Sequence, residues 1–169
     1  SCDITYIKGE EKTEITNAGL RLRGNTSRRR PQDNEGNMHH CHFGLNFRKF
    51  VKDSEHEIHG ARKATLKWFK DDAAYVRELY CYDLFRRDSV WTAPFTTYCR
   101  LWLEVDGKET YYGVYDMIEP IDTRYLKARA TLFEGADGNL WKCLWGATLN
   151  STNANFGVDD GSDAEFTYE

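Results

Sequence analysis

The nine residues Gly19-Leu20-Arg21-Leu22-Arg23-Gly24-Asn25-Thr26-Ser27 join an alternating strand to a turn rich in groups that hold anions. Leu20 and Leu22 would face a core while Arg21 and Arg23 take the other side, setting a guanidinium beside the backbone amides of the turn. Phosphate suits that set. The same residues also compose an ordinary tight turn, in which Gly24 supplies a positive φ and Asn25 caps its own backbone. His39-His40-Cys41-His42 offers imidazole and thiolate, both zinc ligands. Adjacent strand residues point to opposite faces, however, and no second ligand pair stands at finger-like spacing. The run therefore reads as a polar loop entering a strand, and no metal is assigned to it.

Particular elements must position these groups. Residues 3–7 and 15–23 alternate as strands, and residues 28–40 read as a loop. His42-Phe43-Gly44-Leu45-Asn46-Phe47 resumes the alternation, with Phe43, Leu45 and Phe47 on one face and Asn46 on the other. A charged excursion over 52–63 precedes the extended Thr65-Leu66-Lys67-Trp68-Phe69. Asp71 and Asp72 offer N-cap and first-turn carboxylates to a helix of about four turns through Arg87. Tyr75, Leu79 and Tyr82 recur there at helical spacing, widened by Val76 and Phe85, which predicts a buried aromatic stripe. Residues 98–105, Asp106-Gly107 and residues 110–118 give a hairpin with an Asp-Gly turn. Glu119-Pro120-Ile121-Asp122 breaks its second strand, a short helix is expected over 123–130, and an extended segment starts at Gly138. Residues 150–163 form a Gly, Asn, Asp and Ser loop before a strand start at Phe166.

A chain of 169 residues, 40% hydrophobic and 14% aromatic, has the material for one core. A net charge of −4 and a pI near 5.8 argue against a general nucleic-acid partner, and Arg28-Arg29-Arg30 makes only a local patch. No apolar run approaches the roughly 20 residues that span a bilayer. The chain opens at Ser1 with neither an initiator Met nor a signal peptide, so it reads as a piece. Cys2, Cys41, Cys81, Cys99 and Cys143 are odd in number and scattered, so they define no disulfide framework and leave the compartment open. Cys81 and Cys99 lie in apolar segments and read as buried free thiols.

These segments, in this order, resemble the CotH family of spore-coat and surface-associated atypical protein kinases. The family's strand ending in Arg-Gly-Asn-x-Ser is met by Arg23-Gly24-Asn25-Thr26-Ser27, and its following Lys-containing strand by His42-Phe43-Gly44-Leu45-Asn46-Phe47. Its helix pattern is matched by Asp72, Arg77 and Tyr82-Asp83-Leu84, and its Gly-x-Tyr-x-x-x-Glu-x-x-Asp segment by Gly113, Tyr115, Glu119 and Asp122. Gly138-Asn139-Leu140-Trp141-Lys142 is similar to the family's Gly-Asn-Leu-Tyr-Lys, so the likeness covers most residues from 19 to 142.

The resemblance implies an α+β fold: the N-terminal lobe of a protein-kinase-like domain, an antiparallel sheet with a long packed helix, incomplete in this chain. It implies one partial domain over 1–169, family-like over 1–142, with 143–169 leading toward a missing C-terminal part. The Gly24 turn would lie over nucleotide phosphates, the helix from Asp72 would be the regulatory helix, and Glu119-Pro120-Ile121 would be the hinge. Arg23, Gly24, Asn25, Ser27, Asn46, Glu78 and Glu119 become the nucleotide-binding candidates, with Glu78 able to pair with a basic side chain on the preceding strand. ATP with magnesium or manganese is the implied cofactor of the intact protein, and Ser or Thr of coat or surface proteins the implied acceptor. The place implied is extracellular, a cell surface or a spore coat.

Two departures stand out. Asn46 occupies the position where the family carries Lys, and Lys49 could replace it only through a bulge. The family's later Asp-rich motif has no counterpart after Lys142, so no catalytic residue and no metal ligand is assigned, and the chain alone is expected to be inactive. A non-catalytic surface or adhesion module using Trp91, Trp141 and Trp145 is the alternative. Truncation at a hinge would leave apolar residues of the hairpin exposed, a route to self-association.

Overall fold

The computed structural model describes residues 1–24, 27–133, 135, 140–143 and 166–168. In chain order the elements are β1 (Cys2–Lys8), β2 (Glu11–Arg23), β3 (His42–Asn46), β4 (Lys63–Lys67), α1 (Arg77–Arg87), β5 (Thr96–Val105), β6 (Lys108–Ile118), α2 (Thr123–Ala128), β7 (Trp141–Cys143) and β8 (Phe166–Tyr168). They fall into two compact units, Ser1–Pro120 and Ile121–Glu169. The first unit holds a six-stranded antiparallel sheet in the order β1-β2-β3-β4-β6-β5, with α1 inserted between β4 and β5. The second holds the pair β7 and β8 and the helix α2, whose N-cap Asp122 accepts from the backbone N–H of Arg124 and Tyr125.

Pairing register sorts the large sheet into two faces, because residues directly opposite one another on neighbouring strands share a side. On one face Leu22 lies opposite Phe43, Phe43 opposite Leu66 and Leu66 opposite Met117. That row joins the core formed by Cys41, Phe43, Leu66, Tyr112 and Tyr115, while Ile15, Ala18, Phe47, Ile58 and Ala64 form a second cluster. The other face is polar. One row aligns Arg23 with His42, and Lys67 with Asp116 and Tyr98; the next aligns Arg21, Gly44, Thr65, Ile118 and Thr96.

The hairpin of β5 and β6 closes through Asp106 and Gly107, both at positive φ, 52° and 76°, the geometry that an Asp-Gly turn selects. Its register shifts between Leu101 and Trp102, leaving Tyr112 without an opposite residue and Gly113 at φ +121°. This bulge changes which residues share a side. Tyr112 and Tyr115, three apart, would otherwise point oppositely, yet both are buried in one cluster. The Tyr112 hydroxyl donates to the carbonyls of His39 and Pro31, and the Tyr115 hydroxyl to that of Cys41 at 3.1 Å. The loop between β2 and β3 is thereby tied to β6. Inside that loop, Asp33 accepts from the backbone N–H of Glu35 and Asn37 at 2.9 and 2.8 Å and pairs with the His39 ring at 3.0 Å.

Several expectations are corrected. The helix begins at Arg77 rather than near Asp72, and spans 11 residues. The Asp72 carboxylate instead accepts from the backbone N–H of Ala74, Val76 and Arg77, and Tyr75 stands at φ +56°, which a helix cannot include. The aromatic stripe is not core: no α1 residue is buried, and Tyr75, Val76 and Phe85 are exposed, so α1 is not the long packed helix of the expected lobe. The described residues are mostly β, an antiparallel sheet with few helices. Cys81 is exposed rather than buried, and Leu20, although opposite Leu45 on the face it was expected to share with Leu22, is exposed. On the hairpin and beside it, Phe95, Tyr98, Trp102, Val105 and Tyr111 are exposed. No helix among the described residues is long and apolar enough to cross a membrane.

Candidate functional site

The polar face of the sheet gathers its charges where β4 ends. Lys67 is the last residue of β4, and its Nζ donates to both carboxylate oxygens of Glu78, each at 2.6 Å. Glu78 sits in the first turn of α1, so this contact bridges sheet and helix. Both side chains keep some solvent, 38% for Lys67 and 30% for Glu78. The lysine is thus pointed rather than sequestered.

Asp116 on β6 lies directly opposite Lys67 and is wholly buried, at 0% exposure. Its Oδ1 accepts from the Thr96 hydroxyl, while its Oδ2 has no hydrogen-bond partner among the described residues. Burial, reinforced by Glu78 and opposed by Thr96 and Lys67, pushes its carboxyl up to about 6. Tyr82, one turn beyond Glu78, is raised by burial and by the negative fields of Glu78 and Asp116.

His42 and Arg23 complete the row. The Nδ1 of His42 accepts from the backbone N–H of Trp68 at 3.2 Å, and an amide can only donate, so the neutral ring carries its proton on Nε2. Burial and the neighbouring Lys67 hold this imidazole below its usual range. Arg23 Nη1 donates to Thr65 Oγ1 at 2.7 Å. The arginines lie over Gly44, where a Cβ would come within 3.0 Å of Arg23 Cδ and 3.2 Å of Arg21 Nε. Guanidinium, ammonium and a neutral imidazole N–H on one face are groups of the kind that hold anions, set here beside the carboxylates of Glu78 and Asp116.

Of the residues singled out in the sequence, Glu78 pairs with Lys67 and Arg23 donates to Thr65, and the charges of both act on His42. Gly24 stands at φ +107°, where a Cβ would collide with Ser27 Oγ, so the turn requires glycine. Arg28 Nε donates to the Gly24 carbonyl at 3.1 Å. Asn25 lies outside the described residues. Asn46 is elsewhere on the face, in the row of Gly19 and Lys63, two rows from Lys67, and its Oδ1 accepts from the Arg48 N–H at 3.2 Å. Lys49 lies against Gly19. Glu119 donates its N–H to the Phe95 carbonyl at 2.8 Å and accepts the Phe95 N–H on Oε2 at 3.0 Å, closing the open end of the hairpin.

The His-His-Cys-His run is dispersed: His39 pairs with Asp33, His40 stacks on Trp68, Cys41 meets the Tyr112 hydroxyl and His42 takes the Trp68 amide. Among the described residues no group of three or more His, Cys, Asp or Glu is arranged to hold a metal ion. Burial pushes the Cys99 thiol up to about 12, which disqualifies it as a nucleophile. Trp91 is 43% exposed, while the side chain of Trp141 and all of Trp145 lie outside the described structure.

Asp116 was not among the sequence candidates, Lys67 entered only as the unnamed basic side chain expected on the strand before Glu78, and His42 only in the run set aside as a zinc site. Lys67 had a signal, a lysine on the strand before the helix and 11 residues ahead of its glutamate. Asp116 had none, because the bulge hides its side of the sheet.

No curated protein and no solved structure matches the chain. The model of the family described as CotH kinase protein matches residues 20–169. With most of its length covered by that match, the chain belongs to the CotH kinase family and is a kinase-like protein.

Proposed function

We propose that the polar face around Lys67 holds the phosphates of ATP, and that the intact domain transfers the γ-phosphoryl group to Ser or Thr hydroxyls of coat or surface proteins. The observation that carries this reading is the Lys67 to Glu78 contact between β4 and α1. In protein kinases a strand lysine grips the nucleotide phosphates only while a helix glutamate orients it. Lys67, rather than Asn46, takes that role, with Glu78 as its orienter, Arg23 as a second cation and the Gly24 turn as a source of backbone donors. Family membership supports a nucleotide as the anion. The reading equates α1 with the regulatory helix and the sheet with a kinase N-terminal lobe.

Donors on this face fit phosphate oxygens. They do not fit magnesium or manganese: Glu78 is engaged by Lys67 and no carboxylate cluster accompanies it among the described residues. The role given to this face therefore involves no metal ion. The C-terminal region supplying metal and acceptor contacts belongs to the same proposal.

Calorimetric titration of ATP with magnesium tests the reading. Lys67→Met removes a charge-assisted hydrogen bond worth about 1.5–3 kcal/mol, so affinity should fall by roughly 10- to 100-fold. Asn46→Lys should leave affinity within about twofold. Unchanged binding by Lys67→Met would sink the assignment. The second reading, a non-catalytic surface or adhesion module, draws on Trp102, 53% exposed and packed against Tyr111 at 4.8 Å. Absence of ATP binding together with retained binding to a surface glycan or protein would favour it.

A further inference from the structure

We propose that Asp116 is a second, alternate partner for Lys67, which exchanges between Glu78 on α1 and Asp116 on β6. The exchange regulates the site described above and rests on that reading for its functional meaning, although its geometry stands independently.

Three observations lead to it. Asp116 and Lys67 are directly opposite on adjacent antiparallel strands, which places their Cβ atoms about 4.5–5.5 Å apart on the same side of the sheet. Asp116 is wholly buried, and while Oδ1 takes the Thr96 hydroxyl, Oδ2 accepts nothing among the described residues. An orphaned carboxylate oxygen in a buried position is costly unless something fills it in another state. The third observation is the looseness of the other partner. Helix α1 has no buried residue, and Glu78 holds Lys67 from a side chain that is 30% exposed. Its further ties are few: before its first turn Tyr98 donates to the Tyr75 carbonyl, Phe69 stacks on Tyr75 and Asp72 gathers the amides of Ala74, Val76 and Arg77, and near its end Arg86 lies over the exposed Phe95 ring at 5.5 Å. A helix with no fully buried residue, held mainly at its start and by one cation–π contact near its end, can shift, carrying Glu78 away.

Asp116 is then the carboxylate that faces Lys67 across the strand pair. With Glu78 withdrawn, Nζ donates to Asp116 Oδ2, and the ammonium lies down along the sheet instead of standing over it. A lysine so engaged no longer presents its charge to phosphate. The position of α1 is thereby converted into the presence or absence of a phosphate-gripping cation. Asp116 is a positioning residue, acting through Lys67 and touching no substrate.

The charges acting on Asp116 are Lys67 from β4 and Glu78 from α1, with Thr96 as hydrogen-bond donor, and Asp116 in turn acts on the neutral Tyr82 of α1 and Cys99 of β5. The test is a carboxyl-carbon NMR titration of Asp116 in the whole chain without nucleotide, for the unaltered protein and for Lys67→Met, Glu78→Gln and the double variant. Loss of Glu78 alone lowers the Asp116 midpoint by removing a like charge, so the informative quantity is what Lys67→Met does in each background. With Glu78 present it should raise the midpoint by less than about half a pH unit; in the Glu78→Gln background it should raise it by roughly one to three pH units, the effect of losing an adjacent opposite charge. Equal changes in both backgrounds would overturn the exchange. A crystal structure of Glu78→Gln provides the second measurement: Nζ within hydrogen-bond distance of Asp116 Oδ2 is expected, and an extended Lys67 directed at solvent would refute it. Neither measurement uses ATP, so failure of the exchange leaves the nucleotide reading standing. Failure of ATP to bind would leave the exchange as a structural fact without that function.

Discussion

Replacing Asp116 by Asn should stabilise the fold at neutral pH and destabilise it slightly in acid. The carboxyl titrates at about 6 rather than 3.8 because the ion is buried. Raising a pKa by one corresponds to about 1.4 kcal/mol, so keeping Asp116 ionised above that range costs the native state on the order of 3 kcal/mol. The sign follows from proton binding. Native Asp116 holds its proton where the unfolded chain has released it, so its contribution is most favourable below 3.8 and declines as pH rises to about 6. Asn keeps an oxygen for the Thr96 hydroxyl but sets an amide where Oδ2 had no partner, a loss of about 1 kcal/mol. The net effect is therefore a gain of about 2 kcal/mol at pH ~7.5 and a loss of about 1 kcal/mol below pH ~4, where the ionisation cost has vanished and only the amide's missing partner remains. Urea denaturation of both proteins at the two pH values measures it. A variant that is less stable at the higher pH, or a gain that persists unchanged in acid, would refute the account of Asp116 as a strained buried ion.

Gly113→Ala should cost ~1–3 kcal/mol, because φ +121° is forbidding for alanine and the new Cβ would come within 3.0 Å of His40 Cε1; thermal denaturation reads this directly. Asp33 is held down at about 2, chiefly by the Asn37 side chain and backbone, so its support of the loop is complete above 3.8 and fades as pH falls through about 2. The Asn37 amide resonance should titrate there and cease to do so in Asp33→Asn. A double-mutant stability cycle on Lys67 and Glu78 should return only ~0.5–1 kcal/mol, since both side chains keep solvent, which separates their functional role from any structural one.

Strands were legible because alternation records which side is wet. Phe43 and Phe47 proved buried, and Asp106-Gly107 supplied the two positive φ values its turn demands. The helix start was misread for a local reason. Asp72 does gather amides, but it caps an irregular turn with Tyr75 at positive φ, and regular winding waits until Arg77. The apolar spacing of Tyr75, Leu79 and Tyr82 was real, yet periodicity cannot say whether anything lies against the face it marks. The site was half visible. Arg23, Gly24 and Glu78 were marked by type and by family likeness, whereas the lysine was sought on β3 because the family pattern placed it there. The basic partner expected for Glu78 on the preceding strand is Lys67, a lysine the sequence reading left unnamed. Asp116 stayed hidden because a one-residue bulge at Tyr112-Gly113 inverts parity along β6, and bulges leave no mark in an alternating pattern.

That bulge also orders events in time. The carbonyls of Pro31, His39 and Cys41 are held by tyrosines that lie 81, 73 and 74 residues later in the chain. During synthesis the connection between β2 and β3 leaves the ribosome long before the groups that fix it, and it must wait, unanchored, until β6 has joined the sheet. Contacts of such sequence separation are closed late and slowly. Once closed, they bind the connection to the global unfolding of the sheet, so its amides should exchange with solvent as slowly as those of β6 rather than at the rate of a surface loop. An early segment of the chain thus acquires its shape from a late one.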